Sequence, residues 1–219
     1  EMKRITSMRC LAMVPRVHLK ARTKKRTMQL AFLNPSLPHS YTESIRVLKN
    51  RIAKAMESDG QKVLLVTSTV SGEGKSVTAV NLAGQLAMDG ARVLLIDGDL
   101  RRQRDGQLLN LTAEYGLVEA CQASDMEAVW NGIERNSAAM QEHGLLVLAG
   151  NKQKYQHAAL LSTPALKRRV DGVRERIDSV IIDRHTCGPC REPAALGTSG
   201  VRRRHRFSFV EWASEAVLE

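Results

Sequence analysis

The chain has 219 residues, 43% of them hydrophobic, enough to bury a full α/β core, and 33 Lys and Arg against 23 Asp and Glu give it a formal charge of +10. No apolar run of about eighteen residues occurs and the N-terminal stretch lacks an apolar core, so neither a membrane-spanning helix nor a signal peptide is expected. Four cysteines without a paired framework exclude a disulfide-built secreted domain and suit a reducing cytoplasm. Opening on Glu1, the chain reads as a fragment.

In chain order, residues 1–39 read as a basic linker. Residues 1–27 carry Lys3, Arg4, Arg9, Arg16, Lys20, Arg22, Lys24, Lys25 and Arg26 against Glu1 alone, nine minus one, or +8 of the +10 total. Such a strip suits an anionic membrane surface, where each basic residue adds roughly 1 kcal/mol of attraction. Its plainer reading is a solvated, flexible linker. Nucleic acid is not expected as a partner, because no aromatic residue interleaves with the charges before Phe32 and no helix-turn-helix or zinc-finger spacing is present. Asn34-Pro35-Ser36-Leu37-Pro38 closes the linker, and Ser40 with Glu43 three residues later predicts a capping box for a helix running to about Met56.

A strand over 62–68 then leads into Ser71-Gly72-Glu73-Gly74-Lys75-Ser76, followed by a helix over 75–89 that opens Val77-Thr78-Ala79 and ends at Gly90. Strand, glycine loop and helix in that order make a phosphate-binding P-loop. Gly72 and Gly74 let backbone N–H groups turn toward phosphate oxygens, Lys75 reaches the β- and γ-phosphates, and the Ser76 hydroxyl can ligate Mg²⁺. The motif departs from G-x-x-x-x-G-K-[ST] at its start, where Thr69 replaces glycine.

A strand over 92–97 ends in Asp97-Gly98-Asp99, placing carboxylates at the C-terminal end of a buried strand, where open α/β sheets bind their ligands. Next come a polar connection with a short helix near Leu117–Cys121, a helix from about Asp125, a strand over 144–149, and a helix near Thr163–Arg176 opened by Pro164. The strand Ser179-Val180-Ile181-Ile182-Asp183 follows, and its terminal Asp183 fits a Walker B carboxylate that holds Mg²⁺ directly or through water. Strands alternating with helices predict an α/β, three-layer sandwich around a mostly parallel sheet, with one P-loop domain over 40–219.

After Asp183 the pattern breaks. Val201-Arg202-Arg203-Arg204-His205-Arg206-Phe207 cannot form a buried central strand, since each charge would need a partner. Such arginine-rich text is expected where valine and glycine codons are read out of frame, so residues 184–210 are expected to be partly frameshifted and the domain incomplete or aberrant from about 184. Cys187-Gly188-Pro189-Cys190 has the residues of a redox motif, yet only 29 residues follow it and Thr186 stands where tryptophan usually precedes it, so redox activity and zinc binding are both set aside. Cys10 and Cys121 read as inert thiols.

The loop Ser71–Ser76, the segment Leu94-Leu95-Ile96-Asp97-Gly98-Asp99-Leu100-Arg101 and Val180-Ile181-Ile182-Asp183 together resemble the bacterial tyrosine kinases (BY-kinases) that regulate capsular and exopolysaccharide export. The resemblance runs from about Leu11 to Asp183, and the Asp97-Gly98-Asp99 segment, the family's Walker A′, is its most specific part. It implies ATP and Mg²⁺ as cofactors, with Ser71, Gly72, Glu73, Gly74, Lys75, Ser76 and Val77 around the nucleotide. Ser76, Asp97 and Asp183 would serve the metal, Asp97 would also take the tyrosine proton, and Asp99 would orient the incoming hydroxyl. Glu43, Arg46 and Lys49 look like the family's E-x-x-R-x-x-R oligomerisation helix, with Lys at the last place, and imply a ring-like homo-oligomer. Leu11–Val17 resembles the short strand after the last membrane helix of a chain-length regulator, so a regulator or activator domain at the cytoplasmic face of the membrane is the implied partner. Glu211–Leu218 resembles the family's following helix. The family's C-terminal tyrosine cluster is missing, for only Tyr41, Tyr115 and Tyr155 are present. Two other readings stay open: a MinD- or ParA-type ATPase switch, whose loop carries an extra early lysine where this chain has Thr69-Val70-Ser71, and an inactive remnant of the kinase.

Overall fold

In the computed structural model the described residues are 10–15, 17, 30, 33, 34, 36–60, 62–68, 72–99, 104–111, 115–138, 140–149, 164–184 and 208–212. Their order is α1 (His39–Asp59), β1 (Val63–Ser68), α2 (Lys75–Met88), β2 (Val93–Gly98), α3 (Arg104–Leu108), α4 (Leu117–Gln122), α5 (Met126–Ser137), a 3₁₀ turn (Gln141–His143), β3 (Leu145–Leu148), α6 (Pro164–Val173), β4 (Ser179–Arg184) and β5 (Ser208–Trp212). The five strands form one sheet in the order β3-β2-β4-β1-β5. β3, β2, β4 and β1 run parallel, as their alternation with helices predicts, and β5 joins β1 antiparallel.

Period-two alternation splits the core into the two faces of a three-layer sandwich. Leu64, Val66, Val93, Leu95, Val147 and Ile181 pack with α1 and α2, through Leu48, Ile52, Ala79, Leu82 and Leu86. Val63, Leu65, Leu94, Ile96, Val180 and Ile182 pack instead with α4, α5 and α6, through Leu117, Trp130, Ile133, Val170 and Val173. Both faces of the four parallel strands are covered, so each carries an unbroken apolar run: Val63–Val66, Val93–Ile96, Leu145–Leu148 and Val180–Ile182.

Four expectations need correction. α1 starts at His39 behind Pro38 without a side-chain cap, so Ser40 lies inside the helix. Glu43 turns instead to Arg46, whose Nε and Nη2 donate to its two oxygens at 2.9 and 2.8 Å; a bidentate guanidinium pair outcompetes a single backbone N–H. Glu43, Arg46 and Lys49 do not share one outward face. A three-residue step falls short of a full turn by about 60°, so Lys49 has rotated into the protein, where it is buried and its Nζ pairs with Asp89 at the end of α2. Residues 11–15 and 17 form no strand; Leu11, Ala12 and Val14 cover the α1 side of the core, and the Leu11 carbonyl accepts from Arg51.

The fourth correction concerns Glu211 and Trp212, expected to open a helix. They close β5, with Leu65 opposite Glu211 and Ser68 opposite Ser208. An outer strand presents a row of unpaired N–H and C=O groups, and Phe209-Val210 supplies β-formers that add a ladder there, which a helix cannot do. The arginine-rich run 201–207 and the Cys187–Cys190 motif lie outside the described residues. Among the described residues no helix is long and apolar enough to cross a membrane.

Candidate nucleotide site

Asp97 and Asp183 occupy equivalent places on neighbouring strands. Asp97 continues the Val93, Leu95 series and Asp183 follows Ile181, so alternation turns both carboxyls toward α2. The parallel ladder pairs them directly, Asp97 with Asp183 and Gly98 with Arg184. The two strands come close here. A Cβ on Gly98 would lie 3.0 Å from the Asp183 carbonyl oxygen, so only glycine fits without moving the ladder.

The loop between β1 and α2 delivers the cation. Gly72 and Gly74 have φ of 88° and 95°, the left-handed region that side chains resist, which is why glycine stands at both places. Gly74 caps α2, and its carbonyl accepts from Thr78 N–H at 2.9 Å. Lys75 and Ser76 are the first residues of the helix, both buried, while Val77 is half-buried against the α1 side of the core. The Lys75 Nζ donates to Asp183 Oδ1, a buried ion pair. Glu73 is half-buried, and Ser71 lies outside the described residues.

Asp97 ties the end of β2 to Asp99 and to α3. Its Oδ1 accepts from Asp99 N–H at 3.1 Å and its Oδ2 from Asp105 N–H at 3.2 Å. Burial pushes the Asp97 carboxyl up to about 7, the charge of Asp183 adds to this, and the two backbone N–H groups oppose it. Asp105 is held well above the ordinary carboxylate range, first by burial and then by the charges of Asp97 and Asp183, with Lys75 opposing. Asp99 is buried beside this group. Sequence reasoning singled out Asp97, Asp99 and Asp183 but passed over Asp105; the available signal was a lone carboxylate amid Arg101, Arg102 and Arg104.

The donors suit a hydrated magnesium ion beside a phosphate. Among the described residues Asp183 Oδ2 is buried with no N–H donor and faces the Asp105 carboxyl, and Ser76 offers its hydroxyl at the start of α2. Among the described residues no three His, Cys, Asp or Glu side chains converge as a metal cage.

A glycine loop at a helix N-terminus, a lysine on a buried strand-end aspartate and a parallel sheet are the parts of a P-loop nucleotide-binding domain, and the sequence matches the CobQ/CobB/MinD/ParA nucleotide binding domain over residues 64–174, just over half the chain. The chain belongs to that family. This CobQ/CobB/MinD/ParA domain is similar to the succinoglycan biosynthesis transport protein ExoP of Rhizobium meliloti, 30% identical over 161 residues, which cover 72% of this chain and 20% of the relative. It is also 30% identical to the tyrosine-protein kinase ptk of Acinetobacter johnsonii, over 64% of this chain and 18% of that one. The chain thus spans about a fifth of the length of the curated relatives it matches. Among solved structures the BceF tyrosine kinase domain superposes with a TM-score of 0.64 at 27% identity, covering 84% of this chain and 74% of that one. The kinase domain of the Escherichia coli tyrosine kinase ETK shares the fold, with a TM-score of 0.64 at 24% identity over 82% and 70% of the two chains.

Proposed function

We propose that the chain is the ATP-dependent catalytic domain of a bacterial protein-tyrosine kinase that regulates exopolysaccharide or capsule export. The observation that carries the reading is the buried pairing of Lys75 with Asp183, in register with Asp97 at the ends of adjacent strands. The tyrosine-kinase names of the relatives and of the BceF domain favour it over an ATPase switch, as does the absence of an early lysine from Thr69-Val70-Ser71.

In this reading Ser71, Gly72, Glu73, Gly74, Lys75, Ser76 and Val77 surround the triphosphate, with the loop amides and Lys75 on the β- and γ-phosphates. Ser76, Asp97 and Asp183 hold Mg²⁺, which neutralises charge on the phosphates. Asp97 takes the proton of the acceptor tyrosine and Asp99 orients its hydroxyl. Phosphoryl transfer needs little covalent help, so positioning and charge neutralisation are the domain's contribution. In this reading the acceptor is a tyrosine of another protein. Self-assembly through α1, a membrane chain-length regulator as partner, and the basic strip 1–27 against an anionic membrane belong to the same reading.

The test is ligand binding and then transfer. A ligand at a hundred times its dissociation constant stabilises the folded state by about 2.7 kcal/mol, so saturating Mg-ADP raises the thermal midpoint, and Lys75→Ala loses most of that rise. Added Mg-ATP and a tyrosine-bearing acceptor then yield phosphotyrosine. An unmoved midpoint in the parent chain overturns the nucleotide reading, whereas ATP hydrolysis without phosphotyrosine returns the chain to the switch class.

A further inference from the structure

We infer that Tyr41 and Asn81 form a positioning pair that holds the first turn of α2, with Lys75 and Ser76, in place while a nucleotide is bound. The inference rests on the nucleotide reading above. Asn81 is fully buried in the interior of α2, between Val80 and Leu82 of the core. Asparagine is a poor helix former and a buried amide needs partners, so packing alone would favour an apolar residue there. Its Nδ2 donates to the Tyr41 hydroxyl of α1 at 3.2 Å and to the Val77 carbonyl in the first turn of α2 at 2.7 Å. A carbonyl can only accept, which fixes the orientation of the amide. One side chain therefore joins α1 to the turn that carries Lys75 and Ser76.

A second link, Lys49 with Asp89, joins the same two helices farther along. Both links connect residues 40 positions apart, so α1 and α2 run in parallel and in one register. They differ in their distance from the glycine loop. At 1.5 Å per residue Asn81 lies about 9 Å along the helix axis from Lys75, and Asp89 about 21 Å. Without nucleotide the first turn is also held from the sheet, where Lys75 donates to Asp183. A nucleotide that draws Lys75 onto its phosphates releases that tie. The link to α1 does not involve Lys75 and persists, so it counts for more in the bound state than in the free one, and only such a difference changes affinity.

The experiment measures ADP affinity of the full chain in Mg²⁺, well below the thermal midpoint, for the parent, Tyr41→Phe, Asn81→Leu, the double variant and Lys49→Ala. Loss of one net hydrogen bond corresponds to about two- to tenfold in an equilibrium constant, so Tyr41→Phe, which deletes only the hydroxyl, should weaken ADP by about that factor. In the Asn81→Leu background the same change should weaken ADP no further, because its partner has gone. Lys49→Ala should lower the thermal midpoint and leave ADP affinity unchanged. A purely structural role lowers the midpoint of Tyr41→Phe while its ADP affinity stays at the parent's value, and that result overturns the inference. Equal weakening by Tyr41→Phe and Lys49→Ala, or additive losses in the double variant, overturns it as well. Should Asn81→Leu fail to fold, the comparison of Tyr41→Phe with Lys49→Ala decides alone. A parent chain that binds no ADP removes the nucleotide reading and the inference together; a parent and a Tyr41→Phe variant that bind ADP equally well remove the positioning role alone.

Discussion

Asp97 is buried, both of its oxygens accept backbone N–H groups, and its carboxyl still holds its proton up to about pH 7. Desolvation is the largest cause, and with the charge of the neighbouring Asp183 added to it, it outweighs the two hydrogen bonds. The consequence for stability has a definite sign. A folded-state value raised from 3.8 to about 7 means that the folded chain binds the extra proton throughout that window. The contribution is therefore complete at the acid end and is lost as pH rises to about 7. In metal-free buffer Asp97→Asn, which cannot ionise, should gain on the parent in thermal midpoint as pH is raised from about 4 to about 7, with no further change above. A parent-to-variant difference that stays constant across that range would contradict the assignment. Asp97 and Asp183 were legible in the sequence because each ends an apolar run, so alternation alone fixes which way they point. Asp105 was not, since its burial depends on where a five-residue helix lands after an arginine-rich stretch of sequence.

At the scale of elements, the four parallel strands could be read to within about a residue or two, because each is a short apolar run bounded by polar punctuation. α2 ends at Met88, two residues before Gly90, whose φ of 93° makes the turn. α5 begins where Asp125 predicts, with the Asp125 carboxylate accepting from Ala128 N–H at 2.8 Å. β5 was illegible for a different reason: whether Ser208–Trp212 is a strand depends on the free edge of β1, far away in sequence. The contact between β2 and β4 gives a test. Gly98→Ala sets a methyl group 3.0 Å from the Asp183 carbonyl oxygen, and overpacking of this kind costs about 1–3 kcal/mol. Chemical denaturation should show that loss, and nucleotide affinity should fall with it because the ladder that aligns Asp97 with Asp183 must open. Unchanged stability would mean that β2 and β4 separate freely at this end.

For the whole molecule, α1 divides its charges between two tasks. Arg46 is 61% exposed and, among the described residues, paired only with Glu43 of its own helix, whereas Lys49 joins α1 to α2 through Asp89. If α1 mediates self-assembly, Arg46→Glu should shift the sizing profile toward monomer at low salt and leave the thermal midpoint nearly unmoved. Lys49→Ala should do the reverse. An equal effect of both substitutions on assembly would reject this division. The strand order carries a consequence of another kind. β4 is the last of the four parallel strands to leave the ribosome, yet it lies between β2 and β1, and among the described strands β1 pairs with β4 and β5 alone. During synthesis β2 can pair with β3 while β1 waits, its edges open and Lys75 without Asp183. Closure thus depends on the most distant pairings in the chain, the slow kind. A chain cut short before Ser179 does not merely lose an edge; it keeps a β2–β3 pair that carries Asp97 and a lone β1 that leads into the glycine loop.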